Sequence, residues 1–283
     1  MQEPFLNKNI RGYILTQWLG SGGMGEVYQA QHQHSRQTAA VKVLNRIDQV
    51  ERFRNEAYVQ SSVKHPNIAA LYEYSVENGI PCIVMEYVEG LTLERLIKRQ
   101  GALPETFVWK VLEQMAAAVA HLHTNTIFHR DLKPANIKVT KESVVKLLDF
   151  GIAKAAYTPK LTQEGYIVGT SYYMAPEQFQ GKGNIQSDCW ALGVILYEML
   201  TGQLPFDGKT ETETRIRIER GEYMAPNLIN PHISKRSKRL IEKLLQHNPK
   251  KRITAEALLS ELRGETDPNN IFNRVSDWVR NAF

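Results

Sequence analysis

No stretch of this chain reaches the ~18 to 20 consecutive apolar residues that a membrane-spanning helix needs. The longest apolar run, CWALGVILYEML at 189–200, falls short of that and reads instead as a helix buried on all sides. The first ten residues, MQEPFLNKNI, lack the basic-then-apolar order of a secretory signal. Cysteine is nearly absent. Cys82 and Cys189 stand far apart in apolar surroundings, so neither a disulfide framework nor zinc-ligand spacing is present, and two free core thiols in a reducing compartment are expected. Internal repeats and low-complexity tracts are missing as well. Together these absences lead to the expectation of a soluble cytoplasmic protein with no membrane span.

Charge of one sign is not concentrated either. The 283 residues carry 35 Lys and Arg against 30 Asp and Glu, a net charge of +5. The densest basic stretch, SKRSKRLIEKLL at 234–245, places Leu240, Ile241, Leu244 and Leu245 at helical spacing. Its charges therefore read as the solvated face of a helix, and no nucleic-acid partner is expected. With 42% hydrophobic and 23% charged residues, the chain has an ordinary globular composition and is long enough for two lobes with buried cores.

What is present changes character along the chain. Residues 13–88 hold short runs rich in β-branched and aromatic residues: VYQAQ, TAAVKVL, AALYEYSV and PCIVMEYV, with ENG at 77–79 as a hairpin turn. Between them DQVERFRNEAYVQSSVK repeats Val50, Phe53, Ala57 and Val63 at helical spacing up to a stop at His65-Pro66. From residue 89 long helices dominate. In PETFVWKVLEQMAAAVAHLH, the residues Phe107, Val111, Met115, Ala118 and Leu122 form one stripe. This order predicts an α+β protein in two lobes, hinged near Glu86 to Gly90.

Residues 20–25 contain four glycines, Gly20, Gly22, Gly23 and Gly25, a cluster costly in backbone entropy. A Walker A loop fails here because Glu26 and Val27 follow Gly25 in place of Lys and Ser/Thr. A dinucleotide fingerprint is satisfied as a spacing, with Asp48 in the ribose-binding place, but it requires a helix where EVYQAQ favours a strand. The third form covers phosphates with a hairpin and takes a lysine from the next strand. Lys42 in AAVKVL, seventeen residues after Gly25, supplies it.

The deciding stretch is HRDLKPAN at 129–136, followed by LLDFG at 147–151. In-line phosphoryl transfer needs positioning and charge compensation more than covalent help. Asp131 is placed to accept the attacking hydroxyl's proton, and Lys133 to meet the transferring phosphoryl group. Asn136 and Asp149 offer hard oxygen ligands for Mg²⁺, with Mn²⁺ as the alternative ion. The ordered set, Asp131 to Asn136 five apart and Asn136 to Asp149 thirteen apart, is hard to obtain by accident.

With these motifs the chain resembles the eukaryotic-like Ser/Thr protein kinases of bacterial type, from about Tyr13 to Leu262, and GSGGMGEVY is similar to the glycine loop of bacterial members. The resemblance implies a bilobal α+β protein-kinase fold: N-terminal extension 1–12, kinase domain 13–263 divided as 13–88 and 89–263, and a helical tail at 264–283. It implies ATP as phosphoryl donor and protein Ser/Thr hydroxyls as acceptors. The glycine loop, Leu19, Gly20, Ser21, Gly22, Gly23, Met24 and Gly25, would cover the phosphates. Lys42 would hold the α- and β-phosphates, fixed by Glu56. The Glu86 carbonyl and Val88 amide would meet the adenine edge, with Met85 behind, Val27 and Ala40 above and Lys138 below. Thr170 would bond near Asp131 and Lys133, Glu177 would pair with Arg252, and Asp188 would hold the catalytic-loop backbone. Lys133, with Gly169-Thr170 before Ala-Pro-Glu, resembles Ser/Thr rather than Tyr kinases.

Regulation is implied by the same comparison. Thr162, and second to it Thr158, would be autophosphorylated, two copies meeting as a homodimer. Arg130, Lys154 and Arg52 would receive the phosphate, and Glu164 stands where bacterial relatives carry a second phosphothreonine. Two positions depart from the family pattern. Gln60 replaces an apolar residue and is expected either to reach solvent or to leave a hydrogen bond unmade. Lys138 replaces leucine or methionine, its stem covering the base while the ammonium snorkels. In the tail, Ile271, Phe272, Val275, Trp278 and Val279 share a helical face expected to dock on the helical lobe. The rival reading is a kinase-fold scaffold that binds nucleotide without transfer; a dinucleotide oxidoreductase is the remote one.

Overall fold

Antiparallel pairing joins six strands in the first part of the chain: β1 (Asn9–Ile10), β2 (Tyr13–Ser21), β3 (Gly25–His32), β4 (Thr38–Leu44), β5 (Leu71–Glu77) and β6 (Ile80–Glu86), in the order β1-β2-β3-β4-β6-β5. The computed structural model describes residues 5–22, 25–149, 171–264, Trp278 and Ala282. It divides into two compact units, Met1–Glu89 and Gly90–Phe283. β4 is buried from Ala39 to Leu44, as a run of β-branched and small residues central to a sheet should be. Asn78 and Gly79 join β5 to β6 with φ of 51° and 81°, the paired left-handed geometry of a tight hairpin. The segment read as an extension contributes β1, and Ile10 is buried in the core formed by Leu15, Tyr28, Val41 and Val84.

Helix α1 (Val50–Ser61) packs on β5 and β6 through Phe53, Glu56, Ala57 and Gln60. The sequence placed its stop at His65-Pro66, but it ends earlier. The Ser61 and Ser62 hydroxyls donate to the carbonyls of Tyr58 and Val59, both at 2.7 Å, and such local side-chain bonds compete with helix propagation.

The second unit opens with β7 (Leu91–Thr92) and α2 (Leu93–Gln100), the latter capped by Thr92 Oγ1 accepting from Arg95 N–H at 3.2 Å. Helix α3 (Glu105–Thr124) follows, and its predicted stripe Phe107, Val111, Met115, Ala118 and Leu122 is wholly buried. Strands β8 (Ile137–Val139) and β9 (Val145–Leu147) pair with β7 as a small sheet. Then come α4 (Pro176–Phe179), α5 (Ile185–Thr201), α6 (Glu211–Arg220), α7 (Pro226–Ile229), α8 (Lys235–Leu244) and α9 (Ala255–Gly264). The apolar run at 189–200 lies inside α5, buried against α3 and α8. Among the described residues no helix is long and apolar enough to cross a membrane. From the tail, Trp278 packs on Phe107 of α3 with ring centroids 4.4 Å apart.

The basic face of α8 is less solvated than its pattern suggested. Arg236 lies 3.8 Å over the Trp109 ring and donates to the Glu261 carbonyl at the end of α9, while Lys243 pairs with the Glu261 carboxylate at 2.7 Å. These charges fasten three helices together.

Candidate active site

In the first unit Lys42 sits on β4 opposite Val27 of β3 and Ile83 of β6. Its Nζ donates to Glu56 Oε1 on α1 at 2.9 Å, with both side chains at most 8% exposed. Two opposite charges held this far from water fix each other's position more than they add stability. The Phe53 ring lies 5.9 Å from the same ammonium. Val27 packs on the core cluster that includes Ala40 and Met85, which are partners across β4 and β6. Glu86 ends β6, with its N–H donating to the Ala70 carbonyl at 2.8 Å, and Val88 is buried just beyond.

The glycines of the loop divide by what they do. Gly25 has a packing reason, since a Cβ there would fall onto the Val43 carbonyl of β4. At Gly20 and Gly22 a Cβ would meet nothing; Leu19 and Ser21 are both exposed. The Gly22 N–H donates to the Gly25 carbonyl at 2.8 Å, closing the turn. After Gly25 the chain runs as β3, so the helix that a dinucleotide fold requires is not there. Gly23 and Met24 lie outside the described residues.

In the second unit residues 129–136 are built around two carboxylates. Asp131 Oδ2 accepts from Lys133 Nζ at 2.9 Å and from Asn136 Nδ2 at 3.1 Å, and Asn136 Nδ2 is also 3.0 Å from the Asp131 carbonyl. The acid, the cation and the amide are thus brought together in one turn of chain. Leu148 N–H donates to the Asn136 carbonyl at 2.8 Å, which sets Asp149 beside that turn. Asp188 at the start of α5 is 2% exposed and accepts the backbone N–H groups of His129 and Arg130, each at 2.9 Å. Arg130 is held at φ 65°, a conformation that persists only where surroundings enforce it. Burial pulls the His129 imidazole below its ordinary pKa against the nearby acids. Its Nε2 lies 3.1 Å from the Leu148 carbonyl, and since a carbonyl only accepts, this nitrogen carries the proton.

Glu177 and Arg252 form a bidentate pair, with Nη1 to Oε1 at 2.7 Å and Nη2 to Oε2 at 3.1 Å. Ser187 Oγ donates to the same carboxylate, and Arg252 also donates to the carbonyls of Gln186 and Gln246. Burial alone would raise the Glu177 pKa; the bonds and charge of Arg252 outweigh it and hold the group below its ordinary value. Arg130 stacks its guanidinium 4.7 Å from the Phe128 ring. Arg52 Nη1 bonds Gln49 Oε1 at 3.1 Å on α1. Thr158, Thr162, Lys154 and Thr170 lie outside the described residues.

The first of the two departures resolves differently from the sequence expectation. Gln60 does not reach solvent, and its amide is not left without a partner: it is 1% exposed and Nε2 donates to the Ala69 carbonyl at 3.1 Å. Lys138, on β8 opposite Thr92 and Lys146, is half-buried, and burial followed by the Arg95 charge pulls its pKa down.

Sequence reasoning missed His123 and Gln114. His123 Nε2 lies 3.0 Å from Asp188 Oδ2, adding a side-chain contact to the carboxylate that accepts the His129 and Arg130 N–H groups. Gln114 bridges α3 to β9, accepting from Val145 N–H at 2.9 Å and donating to the Ser143 carbonyl at 2.9 Å. Both were polar residues on the helix that was read for its apolar stripe, and only that polarity marked them.

A β-sheet unit with a buried lysine–glutamate pair and a helical unit carrying an Asp-Lys-Asn turn are the two halves of a protein kinase domain. That family matches residues 13–262, and the chain belongs to it. It is 35% identical to the serine/threonine-protein kinase PrkC of Bacillus subtilis over 94% of this chain and 42% of that protein. It is 36% identical to a probable serine/threonine-protein kinase of Clostridium perfringens, over 91% of this chain and 39% of that one. With the serine/threonine-protein kinase PknB of Mycobacterium leprae it shares 37% identity over 87% of this chain and 41% of that protein. The chain thus spans less than half the length of these relatives.

Proposed function

We propose that this chain is a Ser/Thr protein kinase that transfers the γ-phosphoryl group of ATP, with Mg²⁺, to protein hydroxyls. The observation that carries the reading is the turn in which Asp131 accepts from both Lys133 and Asn136 within 3.1 Å. In this reading Asp131 takes the proton of the acceptor hydroxyl, and Lys133 compensates charge on the transferring group. Lys42, oriented by Glu56, holds the α- and β-phosphates. The open space around Gly20 and Gly22 lets backbone N–H groups approach phosphate closely.

Asn136 and Asp149 are the residues that would hold the metal. The Asn136 amide nitrogen is committed to Asp131, which leaves its oxygen as a hard ligand. Among the described residues no group of three or more His, Cys, Asp or Glu could hold a metal. A sparse set suits an ion that keeps most of its ligands as water and phosphate oxygens. When bound, Mg²⁺ neutralises phosphate charge; everything else is the work of the side chains named. In this reading the Glu86 carbonyl and Val88 N–H meet the adenine edge, and Val27, Ala40, Met85 and Lys138 are further residues that contact the base. Thr162 and Thr158 are the phosphorylation sites, transfer passes between two copies, and Arg130, Lys154 and Arg52 receive the phosphate.

The test is phosphosite mapping by mass spectrometry after incubation with Mg²⁺ and ATP, beside Asp131→Asn. Phosphate on Thr162 or Thr158 of the wild-type chain, absent from the variant alone, is the expected result. When the two are mixed, phosphate on the Asp131→Asn chain marks transfer between copies. No phosphate on the wild-type chain or on an added protein substrate would overturn the reading.

A further inference from the structure

Half of the buried face that α1 turns to the sheet is polar. Phe53 and Ala57 are accompanied by Glu56 at 2% and Gln60 at 1% exposure. Glu56 is accounted for by Lys42. Gln60 stands four residues later, one turn along the same face, and has a different partner. Its Nε2 donates to the Ala69 carbonyl at 3.1 Å. Ala69 is itself buried, and a buried carbonyl needs such a donor. The N–H of the same peptide unit, on Ala70, donates to Glu86 Oε2 at 3.1 Å, and the Glu86 N–H donates back to the Ala70 carbonyl at 2.8 Å. One peptide is therefore held at its oxygen by α1 and at its nitrogen by the end of β6. Bonds at both ends of an amide polarise and strengthen each other. At the other end of the helix, Gln49 supplies no side-chain cap, so α1 depends on tethers further along.

We propose that Gln60 is a positioning residue: through the Ala69–Ala70 peptide it ties α1 to Glu86, so that the strand end at Glu86 and the helix carrying Glu56 hold one another in place. This rests on the kinase reading in one respect, that Glu86 lies against the adenine and Glu56 orients Lys42. On that reading nucleotide at Glu86 steadies Glu56 without touching α1. A leucine at position 60 fills similar space but strands the Ala69 carbonyl and cuts the link.

The test compares the whole chain with Gln60→Leu, Glu86→Ala, Glu86→Gln and the double variant Gln60→Leu/Glu86→Ala. Two readouts are taken: hydrogen exchange of the amides in 50–61, and kcat/KM for ATP. The link predicts that Glu86→Ala speeds exchange in α1 about two- to tenfold although Glu86 is not part of that helix. Glu86→Gln, which keeps an acceptor, restores slow exchange. Gln60→Leu lowers kcat/KM about five- to thirtyfold, and the double variant is no worse than Gln60→Leu alone, as coupled residues require. Unchanged exchange in α1 of Glu86→Ala overturns the proposal, as do losses that simply add. Exchange is read without turnover, so a wild-type chain that transfers no phosphate would overturn the kinase reading while the link is still decided.

Discussion

At the scale of single residues, the charges in this chain that matter are the ones removed from water. Arg252 has a fully buried side chain and meets Glu177 in a bidentate pair whose remaining donors are taken by backbone carbonyls. Removing one partner leaves the other charged and buried, so Glu177→Ala is expected to lower unfolding stability by about 3–5 kcal/mol, measured by urea denaturation. The same carboxylate gives a pH dependence. Its folded pKa lies below its ordinary 4.5, so its contribution is complete above 4.5 and lost below it, as pH falls through the folded value. His129 acts in the same direction at higher pH. Its folded pKa is below 6.5, the unfolded chain binds the extra proton, and stability starts to fall once pH drops under that value. Denaturation midpoints taken from pH 8 to about pH 2 should therefore decline in two stages, and Glu177→Gln should weaken the lower one. Of the residues here, Lys42, Asp131, Asn136 and Asp149 were read from ordered spacing, whereas Glu56, Glu177, Asp188 and Arg252 came only through the resemblance to the kinase family. Gln60 was flagged but misjudged, because its acceptor is a backbone carbonyl that no side-chain pattern announces.

At the scale of elements, close approach decides which small residues are needed. Gly193 lies in the middle of α5, where a Cβ would sit 2.8 Å from Leu244 Cβ and 2.9 Å from Leu245 Cδ2 at α8. Leu244 Cβ is fixed to its backbone and cannot swing away. Gly193→Ala should therefore cost about 1–3 kcal/mol in overpacking, of which roughly 1 returns as helix propensity. The net loss is checked by thermal unfolding, and stabilisation would show that α8 shifts freely against α5. Element boundaries were readable where a property repeats locally. TAAVKVL matches β4 end to end, and the stripe of α3 is buried residue for residue. The end of α1 was not readable, since two serine hydroxyls compete with the helix before the proline is reached.

For the whole molecule, the reading as a kinase makes binding and transfer separable. Asp131→Asn removes the base and leaves the nucleotide residues in place. Mg²⁺ and ATP at about a hundredfold over Kd should raise its unfolding free energy by about 2.7 kcal/mol. Chelating the metal with EDTA should reduce that shift, and NAD should give none. A shift with NAD and not with ATP would revive the dinucleotide reading, against the strand at Gly25–His32.

The sequence by itself determined the class of this protein. Phosphoryl transfer needs an acid, a cation, hard oxygen ligands and a phosphate cover, and in the protein kinase family these follow one another in a set chain order that is visible in the linear text. Helix and strand periods are equally local, set by neighbours within a few residues. Only the tertiary structure decided the pairings that cross the chain: His123 to Asp188, Arg236 to Trp109, and Gln60 through one peptide to Glu86. The reason is physical. A buried polar group must find a partner wherever packing brings one, and the partner is most often a backbone atom or a distant side chain whose position exists only once the core has formed.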